Sequence, residues 1–276
     1  MGEIPPHQHG QDYRATTLRL EWPRRHVALV TLARPEERNA ISVETIHELG
    51  EALSVAHRQR AGALVITGAG RSFCAGANLK TLASPDSPFF RDPMMFRDKF
   101  LAPLAQVLDR FEEMPFPIIA AISGHAVGGG CELALSADLR IMSFDAILAL
   151  PEVQLGATPG AGGVQKLIRH VGRSRALEWI LLGARVTAQQ AMAAGLLVEV
   201  TDVTALIDRA LAVAERVASF GPRAIAQAKA SIYLAEDADL RTARRFGVEA
   251  LTALASTEEW REGVSAFVQK RPPRFR

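Results

Sequence analysis

Short apolar runs alternate with stretches of helical period over the first two-thirds of the chain. Val27-Ala28-Leu29-Val30-Thr31-Leu32 predicts a strand, and Arg34-Pro35-Glu36-Glu37-Arg38-Asn39-Ala40 a loop after it. Ser42 stands as the N-cap of a helix from Val43 to about His57, with Ile46, Leu49, Leu53 and Ala56 on one face. Thr45 occupies the position where a capping box calls for Glu or Gln, so the box is expected to be incomplete. Ala63-Leu64-Val65-Ile66-Thr67 is apolar without alternation, as a strand covered on both faces would be. Pro117-Ile118-Ile119-Ala120-Ala121-Ile122 predicts another strand, running straight into a glycine cluster. Strands alternating with helices indicate an α/β fold and leave its topology open.

From about Thr187 the pattern is helical alone. Val203, Leu206, Ile207, Ala210, Leu211, Ala214, Val217 and Ala218 recur at helical spacing before Gly221-Pro222 breaks the run. A second helix is expected from Arg223 to about Ala235 and a third from Leu240 to about Ala255. The segment from Thr81 to Phe100 stands apart, with Pro85, Pro88 and Pro93 among Phe89, Phe90, Met94, Met95, Phe96 and Phe100. It reads either as a loop and short helix packed on the core or as an adaptable wall of an apolar pocket.

Composition narrows the classes. A chain of 276 residues, 48% apolar and 22% charged, can bury a sizeable core as an ordinary globular protein. A net charge of +2, without a basic cluster interleaved with aromatics, gives no sign of a nucleic-acid face. Cys74 and Cys131 lack the paired His or Cys of a zinc site and read as small buried side chains. Met1 to Gly10 shows no basic run followed by an apolar stretch, so no secretory signal is expected, and nothing is long enough to span a membrane. The polar opening reads as a loosely held arm, and a cytoplasmic location is the default expectation.

The chemistry is carried by two glycine-centred stretches, Ser72-Phe73-Cys74-Ala75-Gly76-Ala77-Asn78-Leu79-Lys80 and Gly124-His125-Ala126-Val127-Gly128-Gly129-Gly130-Cys131-Glu132. Side-chain-free backbone ahead of a helix beginning near Cys131 offers unsatisfied N–H donors at the positive end of a helix dipole. Two such donor sites converging on one carbonyl oxygen would form an oxyanion hole.

With Pro151-Glu152-Val153 and Thr158-Pro159-Gly160-Ala161-Gly162-Gly163 downstream, the ordered motifs closely resemble the crotonase superfamily, whose type members are enoyl-CoA hydratases. The resemblance runs from about Thr17 to Phe275. It implies an α/β spiral of repeated ββα units. The arm then covers residues 1–16, the spiral core 17–200, and a C-terminal helical trimerisation region 201–276. Trimers, or hexamers made of paired trimers, are the implied assembly.

By the same resemblance the backbone N–H groups of Ala77 and Gly129 form the oxyanion hole. Glu132 acts mainly as base toward a water, and Glu152 mainly as acid toward Cα. Two nearby carboxyls in an apolar pocket should titrate as a coupled pair. The implied reaction is reversible syn hydration of a trans-2-enoyl-CoA to a 3-hydroxyacyl-CoA, as in fatty-acid β-oxidation. Arg38, Ala40, Ala75 and Lys80 match CoA-lining positions, and Phe267 and Lys270 match a segment that reaches a neighbouring subunit's CoA. Leu82, Phe96 and Leu150 would face the acyl group. Leu150 departs from the pattern, because typical hydratases carry glutamine there; an apolar residue should leave Glu152 less hydrogen-bonded. CoA enters as part of the substrate, with no resident cofactor and no metal.

Three further readings stand beside this one. Another crotonase reaction, such as double-bond isomerisation or hydration of a branched 3-methylglutaconyl-CoA-type substrate, would use the same scaffold, although joint presence of both glutamates favours hydration. A biosynthetic dehydratase would run the same chemistry in reverse. A non-catalytic or RNA-binding relative is opposed by the intact glutamate pair and the near-zero charge. Gly68-Ala69-Gly70-Arg71-Ser72-Phe73 lacks the third glycine of a dinucleotide fingerprint, and neither a P-loop nor a G-x-S-x-G elbow occurs. His125, alone beside the glycines, reads as a packed or pocket-edge residue rather than a base.

Overall fold

The computed structural model describes residues 12–82 and 84–275. Its main sheet has seven strands in the order β1 (Tyr13–Arg14), β2 (Leu18–Arg24), β3 (Val27–Leu32), β4 (Ala63–Gly68), β5 (Ile118–Ile122), β7 (Leu139–Ser143) and β10 (Glu199–Thr201). Pairing is antiparallel through β1, β2 and β3, then parallel to β10. A second sheet joins β6 (His125–Val127), β8 (Ile147–Ala149) and β9 (Val186–Thr187).

The helices are α1 (Val43–Arg58), α2 (Leu79–Leu82), α3 (Pro88–Arg91), α4 (Pro93–Phe96), α5 (Ala102–Glu113), α6 (Gly129–Ser136), α7 (Gly163–Val171) and α8 (Arg173–Leu181). They continue as α9 (Ala188–Ala193), α10 (Leu206–Ala218), α11 (Pro222–Asp237), α12 (Leu240–Ala255) and α13 (Glu258–Val268).

The winding repeats one pattern. A main-sheet strand is followed by a pairing segment in the second layer and then by a helix: β5, β6 and α6 make one turn. β7, β8 and a 3-10 turn over Glu152–Leu155 make the next. Earlier turns use single bridges in place of the second strand, Ile41 to Ala77 and Cys74 to Ala126. This is the ββα spiral that the resemblance implies.

Period-two packing explains the unalternating apolar strands. Leu64 and Ile66 face the large core beneath α1 and α5, whereas Ala63 and Val65 face α10 through Leu206, Ala210, Leu211 and Ala214. Both faces are therefore dry.

Three expectations are corrected. The capping box on α1 is complete, because the Thr45 hydroxyl accepts from the Ser42 N–H at 3.3 Å while Ser42 caps the Thr45 N–H. A hydroxyl at that position does what a longer carboxylate usually does. The chain beyond Thr187 is not purely helical: Glu199–Thr201 adds an edge strand beside β7, and a fourth C-terminal helix, α13, follows Thr257. Of the arm expected over residues 1–16, residues 1–11 lie outside the described residues. Residues 13–14 are not loose but pair with β2, and Thr16 and Thr17 donate to the buried carboxylate of Glu48. Among the described residues, no helix is long and apolar enough to cross a membrane.

Candidate active site

Two loops are stitched together before either reaches the site. Asn39 adopts left-handed backbone (φ 55°), and its buried side-chain amide donates to the carbonyls of Ala69 and Ser72. Ala75 N–H donates to Arg38, and the Ile41 bridge takes the carbonyl of Gly76 and the N–H of Asn78. Ala77, between those two, has its N–H turned out of the ladder. Among the described residues it donates to no protein acceptor.

The second stretch arrives from β6. Gly128 has φ 54° and ψ −126°, a conformation only glycine adopts readily, and its N–H is taken by Ala149. The turn opens α6 with the Gly129 N–H, which likewise has no protein acceptor among the described residues. The two stretches meet backbone to backbone. A Cβ on Gly76 would lie 2.6 Å from the Val127 carbonyl and 3.1 Å from the Gly129 nitrogen, so only glycine allows the approach. Ile41 and Leu104 line the same spot, each with a terminal methyl within 3.3–3.7 Å of where a Gly129 Cβ would stand. Two free donors thus sit side by side in apolar surroundings.

The glutamates stand next to them. Glu132, in the first turn of α6, is 3% exposed; its Oε1 accepts from Ala161 N–H at 2.7 Å and Gly163 N–H at 2.9 Å. Burial pushes its carboxyl above the ordinary carboxylate range, and the two N–H bonds oppose that rise. Glu152 opens the 3-10 turn after Pro151, with Oε1 3.2 Å from where a Gly128 Cβ would be. Its Oε2 is buried without a hydrogen-bond partner among the described residues. Burial first, with the charge of Glu132 adding to it, pushes the Glu152 carboxyl up to about 6. One carboxylate is held by two backbone N–H groups, and the other keeps one buried oxygen without a partner among the described residues.

A cleft of about 600 Å³ is lined by Arg38, Ala40, Ala75, Ala77 and Lys80 together with Glu36 and Glu37. The structure therefore gathers the first group of expected CoA-lining positions around one of the free donors. Phe267 and Lys270 are not on this cleft. Phe267 is 84% exposed and lines an apolar hollow of about 370 Å³ with Trp260 and Leu251, and Lys270 follows α13 in left-handed backbone. A larger hollow of about 940 Å³, walled by Arg223, Glu262, Arg271 and Arg274, holds neither glutamate.

Thr81 to Phe100 resolves into short helical pieces, α2, α3 and α4, each of the latter two started by a proline and capped by Ser87 or Asp92. Leu82 is buried in the main core, and Phe96 stacks on buried Phe100 with ring centroids 5.5 Å apart. Leu150 is buried against Cys131, Leu167 and Trp179. Cys74 and Cys131 are buried, and burial pushes the Cys74 thiol up to about 12 and the Cys131 thiol higher still. His125 is exposed, with Nε2 3.1 Å from Arg185 Nη2.

Sequence reasoning missed the donors that hold Glu132. The Ala161-Gly162-Gly163 run was visible, but nothing in it states that its N–H groups meet a carboxylate about thirty residues earlier.

The family model described as enoyl-CoA hydratase/isomerase matches residues 24–276. A mitochondrial enoyl-CoA hydratase of Pongo abelii is 36% identical over 251 residues, covering 91% of this chain and 83% of that protein. The 2,3-dehydroadipyl-CoA hydratase of Escherichia coli K12 is 38% identical over 251 residues, covering 91% and 95% respectively. The crystal structure of an enoyl-CoA hydratase from Bacillus anthracis superposes with a TM-score of 0.89 at 35% identity, over 94% of this chain and 99% of that one.

Proposed function

This chain belongs to the enoyl-CoA hydratase/isomerase family, and on that premise we propose that it adds water reversibly to a trans-2-enoyl-CoA. The reading is carried by one arrangement: Glu132, held by two backbone N–H groups, and Glu152, with Oε1 3.2 Å from where a Gly128 Cβ would be and Oε2 unpartnered, both flank the turn that presents the Gly129 N–H.

The thioester oxygen accepts from the Ala77 and Gly129 N–H groups, which withdraw charge as the enolate develops. A single such donor is worth roughly 10²–10³ in rate. Glu132 takes a proton from water as the oxygen attacks Cβ. Its Oε1 is occupied by two N–H groups, so Oε2 faces the water. Glu152 delivers a proton to Cα on the same face, which gives syn addition. Burial favours the protonated form of Glu152, and the charge on Glu132 works in the same direction. CoA lies along the cleft of Arg38, Ala40, Ala75 and Lys80, with Phe267 and Lys270 acting on the nucleotide of a neighbouring subunit. Leu82, Phe96 and Leu150 border the acyl side. CoA is the carrier of the substrate, and no resident cofactor takes part.

We also infer a homotrimer or a hexamer of paired trimers, supported by the exposed apolar side chains of Leu240, Val248, Leu251, Val264, Phe267 and Val268 on the C-terminal helices.

The test is loss of the ultraviolet absorbance of crotonyl-CoA's conjugated thioester on adding protein. Glu132→Gln and Glu152→Gln should each lower kcat by about 10²–10⁴-fold while CoA binding survives. Near-normal turnover by both variants would overturn the two-glutamate mechanism. A product lacking a 3-hydroxyl group would point to isomerisation.

A further inference from the structure

The loop Pro159–Gly163 carries two adjacent glycines that are glycine for different reasons. Gly162 has φ 103°, left-handed backbone that a side chain resists. Gly163 opens α7 with no such backbone demand, and glycine in a helix is normally unfavourable by about 1 kcal/mol against alanine. What it lacks is room. A Cβ there would lie 2.9 Å from Glu132 Cγ and 3.0 Å from Glu132 Oε1, with Pro159 Cβ at 3.2 Å. Its own N–H, 2.9 Å from Oε1, is one of the two donors that hold that carboxylate.

We infer that Gly163 is a positioning residue for the reaction: the space of its missing side chain is where the Glu132 side chain lies, and its N–H fixes the carboxylate. The inference rests on the hydration reading for its kinetic arm only. The carboxylate is seated on the first turn of α7, next to a donor from Ala161, so one glycine sets both distance and orientation. Oε1 is spent on the protein and Oε2 is left for the water. α7 is itself anchored away from the site, where Lys166 pairs with Glu112 of α5 and His170 meets the Leu135 carbonyl of α6. The first turn therefore cannot retreat freely when a methyl group is added.

Gly163→Ala should lower kcat for crotonyl-CoA by about 100-fold, with KM within about twofold of wild type, because the CoA cleft is built from other loops. Gly247→Ala, in α12 with nothing within 4 Å of the added carbon, should leave both unchanged. In a Glu132→Gln background the alanine should cost less than threefold more, since the residue it displaces is already disabled. A crystal structure of Gly163→Ala should show the Glu132 carboxylate lifted off the Ala161 and Gly163 nitrogens. Turnover within threefold of wild type, additive losses in the double variant, or retention of both hydrogen bonds would each overturn the inference. If Gly163→Ala does not fold, Glu132→Ala/Gly163→Ala should, because alanine at 132 carries neither the Cγ nor the Oε1 that the new methyl group would meet; failure of both would place the clash elsewhere and overturn it. Absence of enoyl-CoA turnover by the wild type would defeat the hydration reading, and the crystallographic arm would still decide this one.

Discussion

Glu152 shows what a single side chain contributes to stability and function in opposite senses. Its folded carboxyl is raised to about 6, above the ordinary value near 4.5. A raised carboxyl stabilises the fold fully below the unfolded value, and that stability is lost as pH rises through the folded one. Glu152→Gln, neutral throughout, should therefore gain on wild type between pH 4.5 and 6.5. The side chain is partly exposed, so the gain is on the order of 1 kcal/mol, read as roughly 2 °C in Tm. A Tm difference that stays flat across that range would show that the site does not raise this carboxyl. At this scale the sequence was informative about identity and silent about partners. Glu132 and Glu152 were legible because the glycine and proline motifs beside them resemble a known pattern. The bonds from Ala161 and Gly163 were not, since they join residues that only the spiral brings together. Thr45 illustrates the converse: a rule written for Glu or Gln overlooked a hydroxyl with the same reach.

Elements are held to one another by a few buried polar contacts as well as by apolar packing. Lys229 on α11 is 7% exposed, yet donates to the Phe111 and Phe116 carbonyls and to Asp138, which also accepts from Tyr233 and from Ile118 N–H. This cluster clasps the C-terminal helices to the end of α5 and the start of β5. Burial lowers the lysine's pKa, and Asp138 opposes that shift. Lys229→Met would leave Asp138 without its cation and should cost about 3 kcal/mol of unfolding free energy. Lys229→Met/Asp138→Asn should recover at least half of that in urea titration. Equal losses in both variants would mean that apolar packing of the lysine stem, not the ion pair, joins the two parts. Helix spans were legible where period and breaker agreed, as for Val43–Arg58 and Leu240–Ala255. Glu199–Thr201 was not, because three residues on a sheet edge carry too little pattern to compete with the helices around them.

For the molecule as a whole, the apolar exposure of α11, α12 and α13 sets the expectation. Ile232, Leu240, Val248, Leu251 and Phe267 are each more than half exposed, whereas α10 turns a full apolar stripe into the sheet. Sedimentation velocity of the wild type should therefore give three or six copies. Leu251→Glu with Val248→Glu should shift the population toward single chains and weaken CoA binding through Phe267 and Lys270. A monomeric wild type with full turnover would overturn both the assembly and the role of a neighbour's residues. The spiral itself was not deducible from periodicity, which predicts alternating strands and helices but not the second layer of pairing that places β6 over β8.

Just ahead of α5, residues Arg97–Leu101 form a π turn, with the Ala102 N–H reaching back five residues to the Arg97 carbonyl. Pro103 accounts for it: the ring has no N–H for the Lys99 carbonyl and crowds that carbonyl outward, so the helix widens. The helix there holds one residue more than regular winding accommodates, and the surplus works like a vernier. Losing a single residue from 97–101 would return the helix to ordinary pitch while rotating all that precedes it by about 100°. Phe96 would swing off Phe100, and the short helices before it would leave their places, with the sheet and both glutamates undisturbed. Chain length at this one turn thus sets where the short helices stand relative to α5.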